Sequence, residues 1–124
     1  MNLLLDSHCL LWWLADRPLR EEASAVIGEP ANSVYVSAAS TWELEIQAAL
    51  DKLTIDGDLL VETEAAGLSW LPITPQHARA ATRLPLQHRD PFDRMLIAQA
   101  LREGLTIVTR DPVFTEYAVP VLMA

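Results

Sequence analysis

The chain of 124 residues has the length of one domain, with 17 acidic against 9 basic side chains, a formal net charge of −8 and a hydrophobic content of 51%. Such a balance excludes a module that grips nucleic acid through a basic face alone, and the longest apolar run, at residues 9–15, is too short to cross a membrane. With Cys9 as the single cysteine there is no internal disulfide, and an apolar start that lacks a basic leader and contains Asp6 fits a cytoplasmic protein better than a secreted one.

In chain order, residues 3–5 form a short apolar run that ends in Asp6 and read as a buried strand. Helical spacing follows over 8–15 and 19–27. A second β-rich run, 34–37, leads into a helix over 41–53, and another helix is expected at 59–66. The third strand is 69–73, weakened by Pro72. Helices are expected at 76–84 and 91–103, the latter closed by Gly104. Strand 105–109 and a last strand at 119–122, placed at an edge because of Pro120, complete the series. Alternating strands and helices predict an α/β fold, a three-layer α/β/α domain over residues 1–124 with a five-stranded, mostly parallel sheet.

In a parallel sheet the strand C-termini and the N-termini of the following helices share one edge, where ligands bind. Asp6 follows the first strand. Glu43 lies about one turn into the helix after the second, Asp90 and Asp93 open the helix that leads to the fourth, and Asp111 follows the fourth. All five acids belong at that rim. Helix capping is the plain alternative for several of them: Ser40 to Glu43 matches a capping box, and Asp90-Pro91 and Asp111-Pro112 match an N-cap followed by proline. Like charges converging on one rim raise one another's pKa or recruit a cation, and Mg²⁺ or Mn²⁺ suits oxygen ligands.

The segments LLLDSHCLLWWL, SAASTWELEIQAALDKL and DRMLIAQALREGLTIVTRD, in this order, resemble the PIN-domain family, in particular its VapC-type toxins, over nearly the whole chain. The resemblance implies a metal-dependent endoribonuclease, the toxin of a toxin–antitoxin pair, that hydrolyses RNA through a metal-activated water and leaves a 5′-phosphate and a 3′-hydroxyl. It implies Asp6, Glu43, Asp93 and Asp111 as catalytic metal ligands, with Asp90 as a further candidate that is otherwise a cap. Ser7, Ser40 and Thr109 are candidates for positioning ligands or water, with local capping as the alternative. Arg89, Arg94 and Arg110 flank the rim as candidate RNA contacts, with internal ion pairs as the alternative.

His8, His77 and His88 show no pairing pattern and read as surface or supporting residues. The helix around Trp12 and Trp13 is apolar on nearly every side, which predicts a contact with another chain, either a homodimer or a cognate antitoxin. The rival reading is a non-catalytic regulatory module, PIN-like or receiver-like. A receiver would want a lysine at the rim, and Lys52, the only one, lies at the end of a helix away from it.

Overall fold

The computed structural model describes residues 1–124. Five strands, β1 (Asn2–Leu5), β2 (Ser33–Ser37), β3 (Ser69–Leu71), β4 (Thr106–Thr109) and β5 (Val121–Met123), form one sheet in the order β3-β2-β1-β4-β5. Every neighbouring pair is parallel. The central strand β1 explains its own position: Leu3, Leu4 and Leu5 are all fully buried, as a strand covered on both faces must be. Its period of two sends Leu3 and Leu5 to one core and Leu4 to the other.

The first core takes side chains from four helices, α1 (Ser7–Leu14), α2 (Glu21–Gly28), α3 (Ala38–Ala49) and α4 (Leu59–Ala65), through Leu10, Ile27, Leu44 and Leu59. On the opposite face α6 (Pro91–Glu103) contributes Leu96, Ile97 and Ala100, and Phe114 joins them from a 3-10 turn, Pro112–Glu116. α5 (Pro75–Arg83) packs against α6 as an antiparallel partner. His77 near its start bonds Glu103 at the end of α6, and Arg94 in the first turn of α6 reaches the carbonyls of Ala81 and Thr82. The connection from β3 to β4 is thus a helical hairpin, and of its two helices only α6 begins at the C-terminal edge of the sheet.

The expected elements are all present, with some of their bounds shifted. β3 stops at Leu71 because Pro72 has no N–H for the ladder. α3 begins at Ala38, three residues before its expected start, because the Ser37 hydroxyl accepts the N–H of Ala39 and acts as the N-cap. The capping box expected from Ser40 to Glu43 is therefore not formed, and those residues lie inside the helix. α6 starts and ends where its signals stand: Asp90 caps it, Pro91 is its first residue, and Gly104 closes it at φ 69°. No helix is long and apolar enough to cross a membrane.

Candidate active site

Asp6 ends the central strand, and both of its carboxylate oxygens are held. Oδ1 accepts the N–H of Cys9 at 2.8 Å, capping α1, and Oδ2 accepts the hydroxyl of Thr109 at 2.5 Å. Thr109, at the end of the adjacent strand β4, in turn accepts the N–H of Asp111 at 3.0 Å. The ends of β1 and β4 are thereby stitched together around a carboxylate that is only 6% exposed. Ser7, next in the chain, donates its hydroxyl to Glu43 Oε1 at 2.5 Å, which fixes Glu43 of α3 beside the same strand end. Burial beside Asp6 also pushes the Cys9 thiol far above its ordinary pKa, so Cys9 is an inert core residue.

The start of α6 supplies the other half of the site. Asp90 Oδ1 accepts the N–H groups of Phe92 and Asp93 at 2.8 and 3.1 Å, so this oxygen is the helix cap and the second is left without a protein donor. Asp93 Oδ2 pairs with His88 Nε2 at 2.8 Å. Burial pushes the Asp93 carboxyl up to about 6; the charges of Asp90 and Glu43 push the same way, against the opposing effect of His88. A half-buried carboxylate that is destabilised by burial and by two like charges is one that a cation would stabilise. Asp111 uses Oδ1 to cap the 3-10 turn through the N–H of Val113 at 3.0 Å, and is otherwise exposed.

One donor set could hold a metal: ligand atoms of His88, Asp90 and Asp93 lie within 4.8 Å of one another. Glu43 is near enough to Asp93 to raise its pKa. Glu43 and Asp111 each keep one carboxylate oxygen without a protein donor. A set dominated by carboxylate oxygens suits a hard divalent cation of the Mg²⁺ or Mn²⁺ type.

The supporting residues divide. Ser7 and Thr109 hold carboxylates, as described, whereas the buried Ser40 hydroxyl has no hydrogen-bond partner. Among the arginines, Arg94 is corrected from an RNA contact to an internal clamp. It is 7% exposed, and its guanidinium donates to the carbonyls of Ala81, Thr82, Leu84, Pro85 and His88. Arg110 is occupied as well, donating to the carbonyls of Ala124 and Pro18 while it lies 4.2 Å over the Trp12 ring. Arg89 is exposed, with no internal partner.

Two features were missed by the sequence reading. His88 is paired, but its partner stands five residues on, a spacing that no helix or strand pattern reveals. Trp42 and Phe92, which immediately precede Glu43 and Asp93, meet edge to face at 5.4 Å between ring centres, and Trp42 remains 62% exposed. The apolar surplus of α1 is largely spent inside: Trp12 stacks on His8 and lies under Arg110, and Leu11, Trp12, Trp13 and Leu14 pack on the first core. What it leaves open is a groove of about 720 Å³ lined by Leu11, Trp12, Leu14, Leu53, Ile55 and Leu59, among others.

Residues 3–120 match the PIN domain family. Ribonuclease VapC22 of Mycobacterium tuberculosis is 32% identical over 113 residues, which covers 89% of this chain and 87% of that protein. Among solved structures, VapBC2 from Rickettsia felis bound to a DNA fragment of its promoter superposes with a TM-score of 0.76 at 13% identity, over 100% of this chain and 99% of the other. DNA-bound VapBC from Salmonella typhimurium gives 0.70 at 18% identity, over 99% and 98%. At these identities the two structures show a shared fold.

Proposed function

Because the chain belongs to the PIN-domain family, we propose that it is a divalent-metal-dependent endoribonuclease and the toxin half of a toxin–antitoxin pair. The observation that carries this reading is the hydrogen-bonded rim. Thr109 and Ser7 hold Asp6 and Glu43 at the end of β1, in a chain 32% identical to a named ribonuclease. Asp6, Glu43, Asp93 and Asp111 are the proposed ligands of Mg²⁺ or Mn²⁺. A cation bound there would supply the positive charge that lets an RNA phosphate approach an acidic protein, and would acidify the attacking water.

The residues of the chain supply position. Thr109 and the N–H of Cys9 fix both oxygens of Asp6, so the carboxylate keeps one orientation and needs no reorganisation when substrate arrives. Ser7 does the same for Glu43. Hydrolysis places the oxygen of water on phosphorus and breaks the bond to the 3′-oxygen, so the products carry a 5′-phosphate and a 3′-hydroxyl. Arg89, exposed beside Asp90, is the proposed phosphate contact. The exposed face of Trp42 is the proposed stacking surface for an unpaired base, and this favours single-stranded or looped RNA over duplex.

The antitoxin, like a second copy of this chain, is a proposed partner. The α1–α4 groove, with its apolar walls and with Arg17, Asp56 and Glu62 at its margin, is the proposed seat of an amphipathic antitoxin segment. The proposed compartment is the cytoplasm. The test is incubation of the purified, antitoxin-free protein with total RNA in Mg²⁺, Mn²⁺ or EDTA, followed by mapping of the ends. Discrete cuts with 5′-phosphates in metal and none in EDTA are expected. Undiminished cutting in EDTA, or 2′,3′-cyclic phosphate ends, would overturn the proposal.

A further inference from the structure

We infer that His88 is a metal ligand, and that with Asp90 and Asp93 it gives the rim a nitrogen-containing donor set that prefers Mn²⁺ to Mg²⁺. The inference rests on the proposed function only in expecting a cation at this rim. Its ground is geometric. Two donors each about 2.1 Å from one octahedral ion stand about 3.0 Å apart when adjacent and about 4.2 Å apart when opposite. His88 Nε2 and Asp93 Oδ2, 2.8 Å apart, stand near the separation of adjacent ligands, and atoms of all three residues lie within 4.8 Å of one another, so that a closure of about half an ångström brings even the widest pair within reach of one ion. An ion bound to both atoms lies off the line between them, so a small turn of the imidazole exchanges the hydrogen bond, and the proton in it, for the ion. The imidazole has somewhere to put that proton: Nδ1 has no protein partner, so the neutral ring can carry its hydrogen there and present the lone pair of Nε2 to the ion.

The loop that carries His88 is built to hold it. Its N–H donates to the Tyr117 hydroxyl at 3.0 Å, and its carbonyl accepts from Arg94 at 3.0 Å. Tyr117 and Arg94 also bind the same carbonyl, that of Pro85, at 2.9 and 2.8 Å. Two side chains from outside the loop thus pin the backbone on both sides of this one imidazole. Asp90 serves twice, because only Oδ1 is used in capping α6. The other two histidines are not equivalent. His77 is buried with both ring nitrogens engaged, by the N–H of Thr74 and by Glu103, and His8 stacks on Trp12.

The chemical consequence is selectivity. Mg²⁺ prefers oxygen ligands and gives up its waters reluctantly, whereas first-row transition ions accept imidazole readily. The decisive measurement is pulsed EPR of Mn²⁺ bound to the full-length protein, which reads nitrogen coordination directly and needs no turnover. Expected are ¹⁴N modulations of a bound imidazole that change when histidine is labelled with ¹⁵N, persist in His8→Gln and vanish in His88→Gln. In titrations, His88→Gln should weaken Mn²⁺ binding by about tenfold or more and leave Mg²⁺ binding nearly unchanged.

Wild-type protein that binds Mn²⁺ without nitrogen modulation would overturn the inference and leave the nuclease proposal standing, with His88 reduced to a hydrogen-bond partner of Asp93. Nitrogen coordination in a protein that cleaves no RNA would do the reverse. Because the labelled wild type gives the answer by itself, the test survives even if His88→Gln fails to fold.

Discussion

Replacing Arg94 by methionine removes a guanidinium that makes five hydrogen bonds, at 2.7 to 3.4 Å, to the carbonyls at the end of α5 and in the loop before α6. Thr82 is exposed and its carbonyl can turn to water, while the Pro85 carbonyl keeps the Tyr117 hydroxyl at 2.9 Å. Ala81, Leu84 and His88 are buried or half-buried, and their carbonyls lose a charged donor, the His88 carbonyl keeping only the Tyr117 hydroxyl at 3.5 Å. At about 1–1.5 kcal/mol for each of these three acceptors, the loss is about 3–4.5 kcal/mol. For a domain of this size that lowers the melting temperature by roughly 10–15 °C. Arg94→Lys, which keeps the charge but not the planar fork, should lose about half as much. Thermal unfolding followed by circular dichroism, with urea denaturation as a second measure, reads the difference. If Arg94→Met melted within a few degrees of the parent but lost affinity for RNA, Arg94 would be a phosphate contact after all and the internal clamp would be refuted.

Asp93 predicts a pH dependence of stability in chelator. Its folded pKa, about 6, lies above the ordinary aspartate value of 3.8, so the folded form holds a proton that the unfolded form releases between those values. Stability referable to this group is present below about pH 4 and is lost as pH rises to 6, by at most about 3 kcal/mol and less where water screens the exposed part. Asp93→Asn should therefore be more stable than the parent at pH 7 in EDTA and closer to it at pH 4; parallel curves for the two proteins would contradict this. Asp90→Ser keeps a capping oxygen and should melt within about 1 kcal/mol of the parent while binding Mn²⁺ more weakly; a large drop in stability with metal affinity intact would make Asp90 a cap alone. Trp42→Ala should raise KM for a single-stranded substrate by a factor corresponding to about 1–3 kcal/mol of stacking, with kcat little changed; a fall in kcat at constant KM would remove Trp42 from substrate binding.

What could be read in the sequence was local. The run Leu3–Leu5 ending in Asp6, the Asp90-Pro91 start and Gly104 stop of α6, and the alternation of strands and helices each depend on neighbouring residues, and the fold follows them. The start of α3 did not follow. Ser37 and Ser40 both offer a capping hydroxyl, and tertiary contact decides between them: Ser37 closes β2 and donates to Gln99 of α6, while Ser40 turns inward without a partner.

Arg94 and His88 were hidden for the same reason. Whether a charged side chain in the first turn of a helix faces solvent depends on what folds over that turn, and here the loop from Leu84 to Asp90 lays its carbonyls on Arg94 and its imidazole on Asp93. The Trp42–Phe92 pair joins residues fifty positions apart in the chain, beyond the reach of any spacing rule. The position of Asp6 at the end of an all-leucine strand was legible, but its bonds to Cys9 and to Thr109 of the neighbouring strand were not.

The central claim is that carboxylates at the C-terminal edge of the sheet hold a metal that cleaves RNA, and Asp6→Asn tests it most directly. The substitution keeps the shape of the side chain and a carbonyl oxygen for the Cys9 cap, but removes the charge at the middle of the rim. Cleavage of a single-stranded RNA in Mn²⁺, measured for parent and variant well below their melting temperatures, should fall by a factor of about 100 or more, with the melting temperature somewhat lowered because the amide cannot accept the Thr109 hydroxyl. A variant that binds Mn²⁺ and cleaves at the parent's rate would place the chemistry elsewhere on the molecule.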